Sequence, residues 1–185
     1  MRLVGRADLV DYRTYEDTRE EFRRQAMAAK AARRVHVGPH LTFLFENTLT
    51  IRYQIQEMMR TERIVRERDI QHELDTYNAV LGGPGELGCT LLIEIDDPAE
   101  RAVKLQAWYD LPAHVYARLD DGTKVYGRFD EHQRDETRVS SVQYLKFPTQ
   151  GRVPNALGVD LPALETEAPL TAEQRAALTD DLASD

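Results

Sequence analysis

Phe22, Ala26, Met27 and Ala31 recur at helical spacing, and this stripe predicts a first helix reaching about residue 34. Thr14 stands where a capping hydroxyl would, with Asp17 in the first turn, and Gly38-Pro39 ends the segment. Residues 41–46 are aliphatic and aromatic and read as a strand; Asn47-Thr48 then breaks the chain and supplies a cap. A second helix follows over about 49–66, with Ile51, Ile55, Met58 and Val65 on one face and Tyr53 and Ile64 on the other. A third, from about 69 to 81, carries Ile70, Leu74, Tyr77 and Leu81 and stops at Gly82-Gly83-Pro84-Gly85.

The period then changes. Residues 89–95 alternate as a strand, and Asp97-Pro98-Ala99-Glu100 opens a helix reaching about residue 109. Residues 115–119 and 124–129 form a hairpin around Asp120-Asp121-Gly122-Thr123, and 139–147 is a last strand. This order predicts an α+β protein with one largely antiparallel sheet of about five strands packed with three to four helices. Residues 1–149 read as a single domain. Residues 150–185 read as an acidic extension punctuated by Pro154, Pro162 and Pro169, with a short helix opened by the capping box Thr171-Ala172-Glu173-Gln174. This extension is expected to add little to the core.

The chain of 185 residues can fold without disulfides, and its one cysteine, Cys89, excludes an internal bridge. Cys89 shares the phase of Leu91 and Ile93 and reads as buried and inert. No apolar run approaches the ~20 residues of a membrane span, the first residues show no signal-peptide core, and a cytoplasmic location is the expectation. The net charge of −8 argues against general nucleic-acid binding. The charge is uneven. From Gly151 onward seven acids face two bases, whereas residues 19–40 hold six bases against two acids.

Phosphate-loop, dinucleotide-fold, nucleophile-elbow and H-E-x-x-H signatures are absent. The densest polar set lies on the second helix. Tyr53, Gln54, Glu57, Arg60 and Glu62, with Tyr77 of the third helix, outline a polar cleft for a ligand or partner. Glu62 falls inside the arc of Ile51, Ile55 and Met58, where a carboxylate needs a partner. An arginine of the first helix is the simplest one, and removing Glu62 would then destabilise the fold. The sharper alternative joins Glu57 or Glu62 to His72 or Glu73 around iron, manganese or zinc. His36 and His40, flanking Gly38-Pro39, form a second pair that a turn could bring together.

Lys30, Arg33-Arg34-Val35, Gly38-Pro39-His40, Phe45-Glu46, Tyr53-Gln54-Ile55-Gln56-Glu57-Met58-Met59-Arg60, Glu62, Glu73-Leu74, Tyr77-Asn78 and Ile93-Glu94 together resemble a bacterial family, domain of unknown function 3501. The resemblance covers about residues 5–148 and is most specific at Tyr53–Met58. It carries no established activity. Genes of the family tend to lie near those for rubrerythrin and iron–sulfur oxidoreductases, which implies an accessory or ligand-binding partner of a redox or oxidative-stress system. A metal enzyme and a purely structural interaction module are the alternatives, and self-association stays open. The family often places a histidine in its final strand, where this chain has Gln143.

Overall fold

The structure, a computed structural model, describes residues 1–130, 133 and 137–184. After a 3-10 turn at Arg6–Asp8, α1 (Tyr12–Ala31) starts on Asp11, whose carboxylate accepts from the backbone N–H groups of Arg13 and Thr14. The helix therefore begins before Thr14, the residue expected to cap it. It also ends before Arg34, because the next residues alternate. Arg34–Val37 is β1, with Val35 and Val37 buried and Arg34 and His36 exposed.

Then follow β2 (Leu41–Glu46), α2 (Thr48–Glu62), α3 (Glu67–Asn78), β3 (Leu87–Ile93) and α4 (Pro98–Ala107). A 3-10 turn at Leu111–His114 leads to β4 (Val115–Arg118), β5 (Lys124–Tyr126), β6 (Val142–Phe147), β7 (Ala156–Leu161), β8 (Leu164–Pro169) and α5 (Ala172–Ala183). Asn47 caps α2, Asp97 caps α4 and Thr171 caps α5, each through its side chain, as the sequence predicts.

The α+β class holds, but the strand and helix counts do not. The described residues form two antiparallel sheets of four strands, ordered β1-β2-β3-β6 and β5-β4-β7-β8, with five α-helices. One core joins the sheets. Phe43, Phe45, Leu91, Leu145 and Phe147 from the first pack with Val115, Ala117, Leu157 and Val159 from the second. Leu105, Trp108 and Leu111 close this core near the β1–β2 turn, and Leu178 of α5 closes it at the other end of β2.

The largest correction concerns residues 150–185. β7 pairs with both β4 and β8, and Leu157, Val159 and Leu178 are fully buried, so this stretch is core rather than periphery. Its strands were hard to read for physical reasons. β8 alternates modest residues (Leu164, Thr166, Ala168) with Glu165 and Glu167, which looks like loop composition. β7 contains Gly158, where a Cβ would come within 2.5 Å of the Tyr116 ring; the glycine is there to admit a close approach.

All six residues of β2 are buried, so the first sheet is covered on both faces. Its second face meets the helical layer of α1, α2 and α3, which has its own smaller core of Val4, Leu9, Ile51, Ile55, Met59, Ile70, Leu74, Val80 and Leu81. Two amides clasp the N-terminal segment to this layer. Gln56 Oε1 accepts from Val10 N–H at 2.8 Å while its Nε2 donates to Val10 O at 3.1 Å. Asn78 does the same with Val4, at 2.9 Å in both directions. Each amide thus mimics a strand's backbone and leaves no backbone group of Val4 or Val10 unpaired.

Candidate functional site

Several of residues 53–60 dock α2 against α1. Tyr53 is buried between Phe22 (ring centroids 6.0 Å apart) and Lys30, whose ammonium lies 5.4 Å from its ring centre. Glu57 accepts from Tyr15 Oη at 2.7 Å and takes a forked pair from Arg19, Nε at 2.8 Å and Nη2 at 3.0 Å. Arg60 pairs with Glu16 at 2.7 Å. These three side chains of α2 therefore face α1. Gln54 is half-buried beside them, and Tyr77 lies across the helical layer against its smaller core.

Glu62 departs from its expected place. It is the last residue of α2 and is exposed, so the carboxylate that pairs with an arginine of the first helix is Glu57. Ile51 and Ile55 of the expected arc are buried, but α2 ends at Glu62, Val65 lies beyond it and is exposed, and Arg63 turns the chain away in a left-handed conformation (φ 53°).

Glu62, His72 and Glu73 do come together, around a shallow depression of ≈ 420 Å³ shared with Arg63, Arg66 and Asp69. Burial and the neighbouring Glu62 raise the Glu73 carboxyl above its ordinary range, against the opposing effect of His72. Glu57 is not among them. Among the described residues, no three His, Cys, Asp or Glu side chains are placed to hold a metal ion. His36 and His40 take different partners. His36 Nδ1 lies 2.9 Å from Thr42 Oγ1, which donates its one proton to Glu94 at 2.5 Å, so His36 is the donor of its own bond. His40 Nε2 lies 2.7 Å from Lys104 Nζ. Cys89 is fully buried, and burial pushes its thiol pKa up.

Glu57 gives a direct pH prediction. Burial alone would raise its carboxyl, but the Arg19 and Tyr15 hydrogen bonds outweigh this and hold it below the ordinary 4.5. A group depressed in the folded state adds stability above its unfolded pKa and loses it as pH falls. Glu57→Gln should therefore cost about 1–3 kcal/mol at neutral pH. The gap to the parent should narrow steadily below pH 4.5 in urea melts. A gap that stays constant down to acid pH would contradict this.

A larger cleft lies elsewhere, between the C-terminal end of α3 and β6, with a volume of ≈ 710 Å³. The strand period builds one wall. Gln143, Leu145 and Phe147 point into the shared core, which leaves Tyr144 and Lys146 on the face toward the helical layer. Val80 closes the α3 side, and Arg128 and Phe129 follow β5 along the rim. Arg128 bridges β6 through paired backbone bonds with Lys146 and holds Glu86 with its side chain. Lys146 has no ion-pair or side-chain hydrogen-bond partner among the described residues.

Burial raises the Tyr144 phenol, and Tyr77 and Glu46 add to the shift. Glu46 itself is buried and bonded to the hydroxyls of Thr50 (2.6 Å) and Thr90 (3.0 Å). Of the expected cleft residues only Tyr77 is a neighbour of this site. The sequence of β6 carries the signal for this face: Tyr144 and Lys146 are out of phase with Leu145 and Phe147. Gln143, by the same alternation, faces the interior, so a histidine at its position would not open onto the cleft.

The chain belongs to the family described as "Protein of unknown function (DUF3501)", whose model matches residues 3–182. That span includes β7, β8 and most of α5. Among solved structures, the chain is similar to the 1.90 Å crystal structure of a novel protein of unknown function from Burkholderia pseudomallei K96243. The two are 30% identical with a TM-score of 0.88, over 98% of this chain and 100% of that one. No curated protein matches the chain.

Proposed function

We propose that the protein is an accessory protein that binds a small amphipathic organic anion in the α3–β6 cleft. One observation carries this reading: the cleft joins apolar walls (Val80, Phe129, the Tyr144 ring) to the ammonium of Lys146, which has no partner among the described residues. A ligand pocket is typically mostly apolar with a few placed polar groups, and several hundred Å³ is the usual size. Service to a redox system rests on the family resemblance. Since Cys89 is sealed in the core, such a role would run through the bound ligand or through a partner protein, not through thiol exchange.

The test is calorimetric titration with anilinonaphthalene sulfonate, an aromatic anion. The parent should bind saturably. Lys146→Glu should weaken binding about tenfold or more, the scale of losing a charged hydrogen bond. Ala79→Trp, which fills the cleft from the end of α3, should abolish it. Binding unchanged in both variants would refute the assignment.

A further inference from the structure

The recess between the start of α1 and the end of α2 carries an independent signal. It has a volume of ≈ 590 Å³ and is lined by Tyr12, Arg13, Glu16, Arg60, Thr61 and Arg63. Three guanidinium groups meet one carboxylate there, and that carboxylate, Glu16, is already engaged by Arg60 at 2.7 Å. Acids outnumber bases in this chain by 32 to 24, and several arginines of this half are paired: Arg2 with Asp8, Arg6 with Glu67, Arg19 with Glu57 and Arg33 with Asp181. Arg13 and Arg63 have no carboxylate partner among the described residues.

Each has a local feature of its own. Arg13 Nε donates to Tyr12 Oη at 3.4 Å, and its guanidinium carbon lies 6.0 Å from the Tyr12 ring centre, so its terminal N–H groups are left free. Tyr12 Oη accepts that bond and keeps its own proton to donate. Arg63 sits in the left-handed conformation at the end of α2, a position where glycine is the unstrained choice. A helix C-terminus gains from a cation there, but an arginine one turn earlier would give the same benefit without the backbone cost, and Arg60 already does so.

We infer that this recess binds the phosphoryl group of a small phosphorylated molecule. Two unpaired forks with the Tyr12 and Thr61 hydroxyls offer more donors than a single carboxylate can use. They suit the three oxygens and double charge of a phosphate ester or diphosphate. The recess is distinct from the α3–β6 cleft and does not depend on the reading given to it.

The test uses inorganic phosphate and pyrophosphate as probes, at fixed ionic strength set with sodium chloride, read by thermal melting and calorimetry. Pyrophosphate should raise the melting temperature of the parent saturably, because it binds the folded chain. Arg63→Gly removes the guanidinium while placing the best residue at a left-handed site. Without ligand it should melt at or above the parent's temperature, yet bind pyrophosphate about tenfold more weakly or worse. Arg13→Ala should weaken binding similarly. No saturable shift in the parent, or an equal shift in both variants, would overturn the proposal. Sedimentation with phosphatidate-containing vesicles in the absence of any pyrophosphate binding would overturn it in favour of a lipid headgroup.

Discussion

A chain truncated after Gln150 should not fold. The cut removes β7, which pairs on both edges within the second sheet, together with β8 and α5. β4 and β5 would be left as a lone two-stranded hairpin, and such hairpins are marginal in water. The first sheet would lose the apolar surface of Leu157, Val159, Leu161, Leu170 and Leu178 and expose its own core face. Far-ultraviolet dichroism and urea unfolding should show no cooperative transition for residues 1–150. A truncated protein that unfolds cooperatively with most of the parent's stability would restore the view that the acidic stretch is an appendage.

The second large effect is expected at Asp181. Its carboxylate takes two bonds from Arg33, from Nε and Nη2 at 2.8 Å each, and a third from Asn47 Nδ2 at 3.2 Å. Arg33 and Asp181 are 9% and 5% exposed, so solvent cannot replace a lost partner. Asp181→Ala should cost about 3–5 kcal/mol, because it strands a buried guanidinium. Replacing both residues with apolar ones of similar size should cost much less, since the desolvation of both charges is then relieved together. Urea midpoints of the two variants make the comparison. A single substitution costing under about 0.5 kcal/mol would mean that the pair is open to water.

Arg33–Asp181 also shows why the second half of the fold was hard to read. The bond spans 148 positions, and nothing local in Thr171–Asp181 says where that helix docks. What could be read was local chemistry. The caps Asn47, Asp97 and Thr171, the turn at Asp120–Thr123, the apolar strand of residues 41–46 and the strand phase of residues 89–93 all follow from side chains acting on their own neighbourhood. Sheet partners do not. β8 makes its place by pairing with β7, and its alternating Glu165 and Glu167 give no apolar signal of their own.

The site was legible only in part, for a related reason. Helical phase showed correctly that Tyr53, Glu57 and Arg60 share one side of α2. It could not show that Tyr15, Arg19 and Glu16 of α1 would occupy them. Glu62 was placed in the right arc but beyond the end of its cover. The α3–β6 cleft needs residues 128–129 and 144–146 brought beside the end of α3, a juxtaposition that exists only once β6 has joined β3.

That cleft is the centre of the functional reading, and one measurement addresses it directly. Amide chemical shifts of isotope-labelled protein can be followed during titration with anilinonaphthalene sulfonate. Saturable perturbations should be concentrated at residues 76–80, 128–130 and 144–146, with the α1–α2 face unmoved. Perturbations that are absent, scattered over the surface, or centred on another part of the fold would contradict the assignment of this cleft as the ligand site.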